Sequence, residues 1–170
     1  GGVRVINGAK AHFIGCSKAA QMGMFAALGL CAPRSIAVHR WEEIAGAAQD
    51  IGFPVIVKPN IGGSGAGIGL YEDAHELEIA LKTKQVDLGV DGTGVVQEYI
   101  RSDGYVYRVE ILGDELFYAI RQTVRAGNFN YCAAEGCSAD AGEEEGIQMF
   151  APSAEIVAQC IAIIQKAGAD

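Results

Sequence analysis

Val55-Ile56-Val57-Lys58-Pro59-Asn60-Ile61-Gly62-Gly63-Ser64-Gly65-Ala66-Gly67 is the stretch that decides how this chain is read. Residues 54–58 are rich in β-branched side chains and predict a strand that delivers a lysine at its end. The glycine and serine loop that follows can turn successive backbone N–H groups toward one point, which makes an anion cradle. Gly62, Gly63 and Gly65 leave room for close approach and accept positive φ, and Ser64 adds a hydroxyl. Lys58 adds a point charge suited to a phosphate. Together these features predict a triphosphate site. Three familiar phosphate motifs do not fit. A Walker A loop places its lysine after the glycines. The dinucleotide fingerprint needs glycines at n, n+2 and n+5, and Gly63, Gly65 and Ile68 miss it, as do Gly65, Gly67 and Leu70. A protein kinase has its glycine loop before its lysine strand.

Working outward, the pattern alternates between helices and strands. Residues 3–6 read as a short strand, and Ser17 as the N-cap of a helix over 18–28 that stops at Gly29. A strand is predicted over 35–38, and a helix over 41–50 that ends at Gly52. Asp73 and Glu76 have capping-box spacing, so a third helix should follow to about residue 84. Past residue 85 the period changes. Residues 95–100 read as a strand, and 105–112 and 115–122 as two strands joined at Gly113 and Asp114, a hairpin signal. Residues 126–150 show no clear period, and Glu143, Glu144 and Glu145 read as a solvated loop. Ser153 should open a last helix to about residue 166.

Two further features carry chemistry. The strand Val95-Val96-Gln97-Glu98-Tyr99-Ile100 can present one backbone donor and one acceptor to a flat heterocycle such as adenine. Arg108 and Arg121 lie on adjoining predicted strands, and the guanidinium fork suits carboxylate or phosphate. Arg125 reads as solvent-exposed.

Composition limits the alternatives. A chain of 170 residues can bury about 70% of its unfolded surface, so it needs no disulfide or metal staple. Half of its residues are apolar and 20% are charged, which excludes a globally disordered chain. Its 23 glycines follow no G-X-Y period, which excludes collagen. A net charge of −8 repels phosphate backbones, so no nucleic-acid partner is expected. No apolar run reaches the ~18 residues of a membrane span. Residues 1–9 hold one arginine and no long apolar stretch, so no secretory signal is expected. Cys16, Cys31, Cys132, Cys137 and Cys160 are scattered and odd in number, so they read as free thiols in a reducing, cytoplasmic compartment. The three histidines form no triad and no metal site.

In this order the motifs resemble the ATP-grasp family. The series is Ser17 and Lys18 opening a helix, Lys58 ending a strand, the 61–67 lid loop, the hinge strand Gln97 to Ile100, then Arg108 and Arg121. It is most similar to carboxylate–amine ligases of the glutamate-ligase and D-alanine–D-alanine ligase kind. The resemblance covers about residues 3–170, and Phe129-Asn130-Tyr131-Cys132 is similar to an FN-x-C motif of one subgroup. It implies an α+β fold of two small lobes around a nucleotide cleft. It also implies Lys18 and Lys58 on the α- and β-phosphates, and the amides of residues 62–66 with Ser64 over the β- and γ-phosphates. Gln97, Glu98, Tyr99 and the Ile100 backbone are expected around adenine, and Asp103 at the ribose. Arg121, with Arg108, is expected at the γ-phosphate and acyl-phosphate oxygens, and Asn130 at the substrate. ATP and Mg²⁺ are the implied cofactors, with small carboxylate and amine substrates, amino acids among the candidates. The family's metal ligands come late, so they are expected beyond Asp170, and no metal ligand is assigned within the chain.

The expected organisation is the end of a preceding lobe or a linker over 1–17, a first lobe over 18–96, and a hinge with a partial second lobe over 97–170. The chain is therefore expected to be a piece of a larger ligase, inactive alone, with an open sheet edge that favours a homo-oligomer. The alternatives are a non-catalytic ATP-binding module and an ATP-grasp kinase or carboxylase-type domain acting on phosphate or bicarbonate.

Overall fold

The computed structural model describes residues 2–3, 5–123 and 146–169. The fold is α+β, and its strand pairings are antiparallel. The chain divides into two compact units, Gly15–Arg101 and Gly1–Ile14 with Ser102–Asp170. Its helices and strands are α1 (Ala9–Cys16), α2 (Lys18–Ala27), β1 (Ser35–Val38), α3 (Trp41–Ile51), β2 (Val55–Pro59), β3 (Gly69–Tyr71), α4 (Ala74–Lys82), β4 (Gly94–Glu98), β5 (Tyr105–Leu112), β6 (Glu115–Thr123), β7 (Ile147–Met149) and α5 (Ala154–Ala167).

In the unit Gly15–Arg101 the sheet order is β1-β4-β2-β3. The register pairs Val57 with Val96, Ile56 with Gln97, Lys58 with Val95, and Ser35 with Gln97. Directly paired residues of an antiparallel sheet share a face, and successive residues alternate faces. Val38, Val55, Val57 and Val96 therefore point one way, into a core with Ile44, Ala47 and Ala48 of α3 and Leu77 and Ala80 of α4. Ser35, Val95, Gln97, Ile56 and Lys58 point the other way. The apolar run before Lys58 thus serves two faces, and one of them carries all the polar side chains of the strands' centre.

The helices start where the sequence provides donors' partners. Ser17 caps α2 by accepting from the Ala20 N–H at 3.2 Å. Asp73 caps α4 by accepting from the Glu76 N–H at 2.9 Å, and the Glu76 carboxylate accepts from the Glu72 N–H at 2.8 Å. The box that the spacing predicted is therefore closed one residue earlier than the usual pattern.

In the other unit, β5-β6-β7 form a three-stranded sheet. Gly113, at φ +65°, makes the hairpin turn that the sequence predicts. The register slips between Glu110 and Ile111. Helix α5 packs against β5, is capped by Ser153 and ends at Gly168 in the left-handed region.

Two local expectations need correction, the strand over 3–6 and the extent of the hinge strand, and three elements, α1, β3 and β7, carry no expectation from sequence. Val3, Val5 and Ile6 are exposed and form no strand; no partner strand among the described residues completes a ladder there. Residues 9–16 are helical. Gly69–Tyr71 and Ile147–Met149 are strands too short for any period to announce, and both exist through their pairing with β2 and β6. The hinge strand ends at Glu98 rather than at Ile100.

Ile44 is fully buried between α3 and the sheet, whereas Ile79 on α4 is 48% exposed. Ile44→Ala should therefore cost about 3 kcal/mol in urea unfolding, and Ile79→Ala under about 1 kcal/mol. Equal losses would contradict the assignment of the core face.

Candidate functional site

Lys58 lies half-buried on the polar face of the Gly15–Arg101 sheet. Its Nζ donates to Gln97 Oε1 at 2.7 Å. Burial pushes its pKa down from 10.5 to about 8, and the nearby Lys18 ammonium adds to that shift. Two like charges within each other's field, one of them partly out of water, are a cost in the absence of an anion. That arrangement is chemically suited to a polyanion.

Lys18 is held by Asn60. The Lys18 N–H donates to the Asn60 carbonyl at 3.2 Å, and Lys18 Nζ reaches the carbonyls of Asn60 at 3.4 Å and Gly62 at 3.1 Å. Asn60 is 7% exposed and uses both ends of its amide. Oδ1 accepts from Ser17 Oγ at 3.0 Å and from the Ala19 N–H at 2.9 Å, and Nδ2 donates to Asp91 Oδ2 at 3.1 Å. One buried asparagine thus ties the start of α2, the end of β2 and the 87–93 loop together. Burial lowers the Lys18 pKa, and the Asp91 carboxylate partly opposes that. The sequence alone gives Asn60 no role and does not single out Asp91. The only signal was an asparagine directly after the Lys-Pro end of a strand.

The glycine loop leaves this platform through an isolated bridge between Ser17 and Ile61. It then turns, with Ser64, Gly65 and Gly67 all at positive φ. The Ala66 and Ile68 N–H groups close the turn onto the carbonyls of Gly63 at 3.1 Å and Gly65 at 3.4 Å. A Cβ on Gly67 would lie 2.8 Å from Pro59 Cγ and 2.9 Å from Asp87 Oδ2, so only glycine fits there. Gly62, Gly63, Ser64 and Ala66 are exposed.

At the hinge, Glu98 is tied to Arg34. The Glu98 N–H donates to the Arg34 carbonyl at 2.9 Å, and the Arg34 N–H and Nε both donate to Glu98 Oε2 at 3.3 Å. Those bonds hold the Glu98 carboxyl below the usual range. The Tyr99 N–H donates to the Pro54 carbonyl at 3.1 Å, and Ile100 is 58% exposed. Gln97 is 6% exposed, and its amide is directed inward rather than to solvent.

The remaining sequence candidates belong to the other unit. Arg121 donates through Nε at 3.0 Å and Nη2 at 2.8 Å to Gln148 Oε1, and its guanidinium carbon lies 4.9 Å from the centre of the Tyr105 ring. Gln148 lay in a stretch without period and was not anticipated. Tyr107 pairs with Arg121, and Arg108 pairs with Ile120. The two arginines therefore lie on opposite faces of the hairpin, and the structure does not bring them together. The Asp103 carboxylate accepts from Tyr107 Oη at 2.7 Å and from the Tyr105 N–H at 3.1 Å. Asn130, with the Phe129–Cys132 motif, Arg125 and the acidic run at 143–145, lies outside the described residues. Among the described residues no group of three or more His, Cys, Asp or Glu side chains is placed to hold a metal ion, and no helix is long and apolar enough to cross a membrane.

A lysine-ended strand, a glycine turn and a second lysine at a helix start thus belong to one unit, on an antiparallel sheet backed by two helices, an arrangement whose chemistry suits a polyphosphate. The chain belongs to the ATP-grasp superfamily: residues 18–114 match the family of the carbamoyl-phosphate synthase L chain, ATP-binding domain. It is 30% identical over 126 residues to a D-alanine–D-alanine ligase of Chromohalobacter salexigens, covering 74% of this chain and 38% of that one. Among solved structures, a RimK domain ATP-grasp protein from Sphaerobacter thermophilus superposes with a TM-score of 0.71 at 20% identity, over 99% of this chain and 56% of that one. The D-alanine–D-alanine ligase of Bacillus anthracis complexed with ATP superposes with a TM-score of 0.64 at 22% identity, over 92% and 49%. The fold is thus that of the ATP-grasp ligases, and the chain spans about half or less of the length of these relatives.

The half-buried lysine has a consequence for stability. Its folded pKa of about 8 lies below the unfolded value of 10.5, so the unfolded chain binds more protons between those values. The penalty is present in full below about pH 8 and is relieved as pH rises above it. Lys58→Met lacks that penalty. The wild-type chain should therefore gain about 1–2 kcal/mol relative to Lys58→Met between pH 7 and pH 10, after halving the ceiling for partial solvent access. Urea titrations of both proteins at matched ionic strength check this, and a gap that stays constant would show that the ammonium is not desolvated.

Proposed function

We propose that this chain is the ATP-binding part of an ATP-dependent carboxylate–amine ligase that works through an acyl-phosphate. The observation that supports the reading most is the convergence of Lys18 and Lys58 beside the glycine turn, with Lys58 desolvated and Lys18 fixed by Asn60. Positioning and charge neutralisation supply most of the catalysis in phosphoryl transfer. Two fixed ammonium groups on the α- and β-phosphates supply both. The backbone of residues 62–66 and the Ser64 hydroxyl are assigned to the β- and γ-phosphates. Closure of that turn keeps water from an activated acyl group. The hinge at Glu98, Tyr99 and Ile100 is assigned to adenine, and Asp103 to the ribose.

In the first step a carboxylate oxygen of the substrate attacks the γ-phosphorus. The bond to the β–γ bridging oxygen breaks, and ADP leaves. In the second step an amine attacks the acyl carbon, loses a proton, and phosphate departs with the oxygen it received. Arg121 is assigned to the phosphoryl oxygens, with its direction fixed by Gln148 and Tyr105. Mg²⁺ is assigned as the counter-ion that arrives with the nucleotide. Among the described residues no group of three or more His, Cys, Asp or Glu side chains is placed to hold it. Amino acids are the proposed substrate class and the cytoplasm the proposed compartment.

Titration calorimetry with the β,γ-imido analogue of ATP and Mg²⁺ tests the reading. Micromolar binding, about −8 kcal/mol, is expected, and Lys58→Met should weaken it at least tenfold, about 1.4 kcal/mol. Wild-type affinity in a folded Lys58→Met protein would remove the cradle from the account.

A further inference from the structure

We propose that Gln97 is a positioning residue for Lys58. It is the middle link of a one-way hydrogen-bond relay that aims the ammonium at the phosphates without cancelling its charge. The inference rests on the nucleotide reading above and goes beyond it by giving Gln97 a task other than contact with adenine.

The relay has a fixed direction. Ser35 Oγ donates its only proton to the Pro33 carbonyl at 2.9 Å. It can therefore only accept from its other neighbour, and Gln97 Nε2 donates to it at 2.8 Å. The second hydrogen on Nε2 faces Met22 Sδ at 3.5 Å. With Nε2 so placed, Oε1 is left facing Lys58 Nζ at 2.7 Å as an acceptor. Turning the amide over would set its NH₂ against an ammonium and its oxygen against a hydroxyl with no proton to give. The amide orientation thus follows from a backbone carbonyl two links away.

The register explains why these groups meet. Ser35 and Gln97 are paired across β1 and β4, and Lys58 lies one position beyond Gln97's partner Ile56's neighbour on the same face of β2. Lys58 ends a flexible four-carbon stem, and holding such a stem in one rotamer costs entropy at binding unless it is already held. A neutral amide holds it and leaves the full positive charge for the ligand. A carboxylate at position 97 would hold it as well, but would pair with the charge and neutralise it. Gln97 is nine-tenths buried, so solvent does not compete for the bond.

The test is a double-mutant cycle on the whole chain, read by calorimetric titration with the β,γ-imido analogue of ATP and Mg²⁺ at pH 7. Gln97→Met, of similar volume, should weaken binding three- to fivefold. Gln97→Glu should weaken it at least tenfold. In a Lys58→Met background the effect of Gln97→Met should shrink to less than twofold, because no ammonium remains to be placed. A role of Gln97 in the fold alone would not produce that coupling. Wild-type affinity in Gln97→Met, or a loss undiminished in the Lys58→Met background, overturns the proposal while the cradle stands. If Lys58→Met itself binds like the wild type, the nucleotide reading fails first and takes this inference with it. Should the Gln97 variants not fold, Ser35→Ala decides the question in the same cycle. It removes the acceptor that orients the amide, and Ser35→Thr, which restores a hydroxyl, should recover the lost affinity.

Discussion

A lysine ammonium drawn partly out of water, with a second ammonium in its field, is the constraint on which the site depends. Neither charge is neutralised by a carboxylate at contact distance among the bonds described above. Lys58 leans on an amide oxygen and Lys18 on two backbone carbonyls. Dipoles hold a cation in place but leave its charge intact. The site therefore stores electrostatic tension that a polyanion relieves, and the relief is binding energy.

The rest of the Gly15–Arg101 unit is arranged so that this tension can be borne. Val55 and Val57 of β2 and Val96 of β4 bury their side chains with α3 and α4, and the same strands turn Lys58 and Gln97 to the opposite face. A rigid apolar layer on one side keeps the polar layer on the other in register. Asn60 does for Lys18 what the sheet does for Lys58. Its buried amide joins the first turn of α2 to the end of β2, so both lysines are carried by one block of structure. The glycine turn meets that block through the Ser17–Ile61 bridge, the Gly62 carbonyl that accepts from Lys18, and the close approach of Gly67 to Pro59.

Much of this was legible in the sequence because the signals are local. A β-branched run before Lys58, a Ser17 cap and an Asp73 cap each announce themselves within four residues, and the Gly113 hairpin does so within two. The order of motifs then gave the superfamily and the α+β class. What escaped depends on pairing between distant segments. Three-residue strands such as Gly69–Tyr71 and Ile147–Met149 have no period, and they exist because β2 and β6 supply partners. Asn60 and Asp91 are 31 residues apart, and Arg121 and Gln148 are 27 apart, so neither pair could be seen by spacing. Arg108 and Arg121 looked alike as basic residues on neighbouring strands. Only the register shows that they face opposite ways.

The central claim is that the site recognises a run of phosphates through charge. Its most direct measurement is the affinity of the chain for AMP, ADP and the imido analogue of ATP at two salt concentrations. The account predicts that affinity rises at least tenfold from AMP to the triphosphate analogue, and that the rise shrinks at high salt as the ammonium–phosphate attraction is screened. Equal affinity across the series, insensitive to salt, would contradict it and would leave the two lysines without a function.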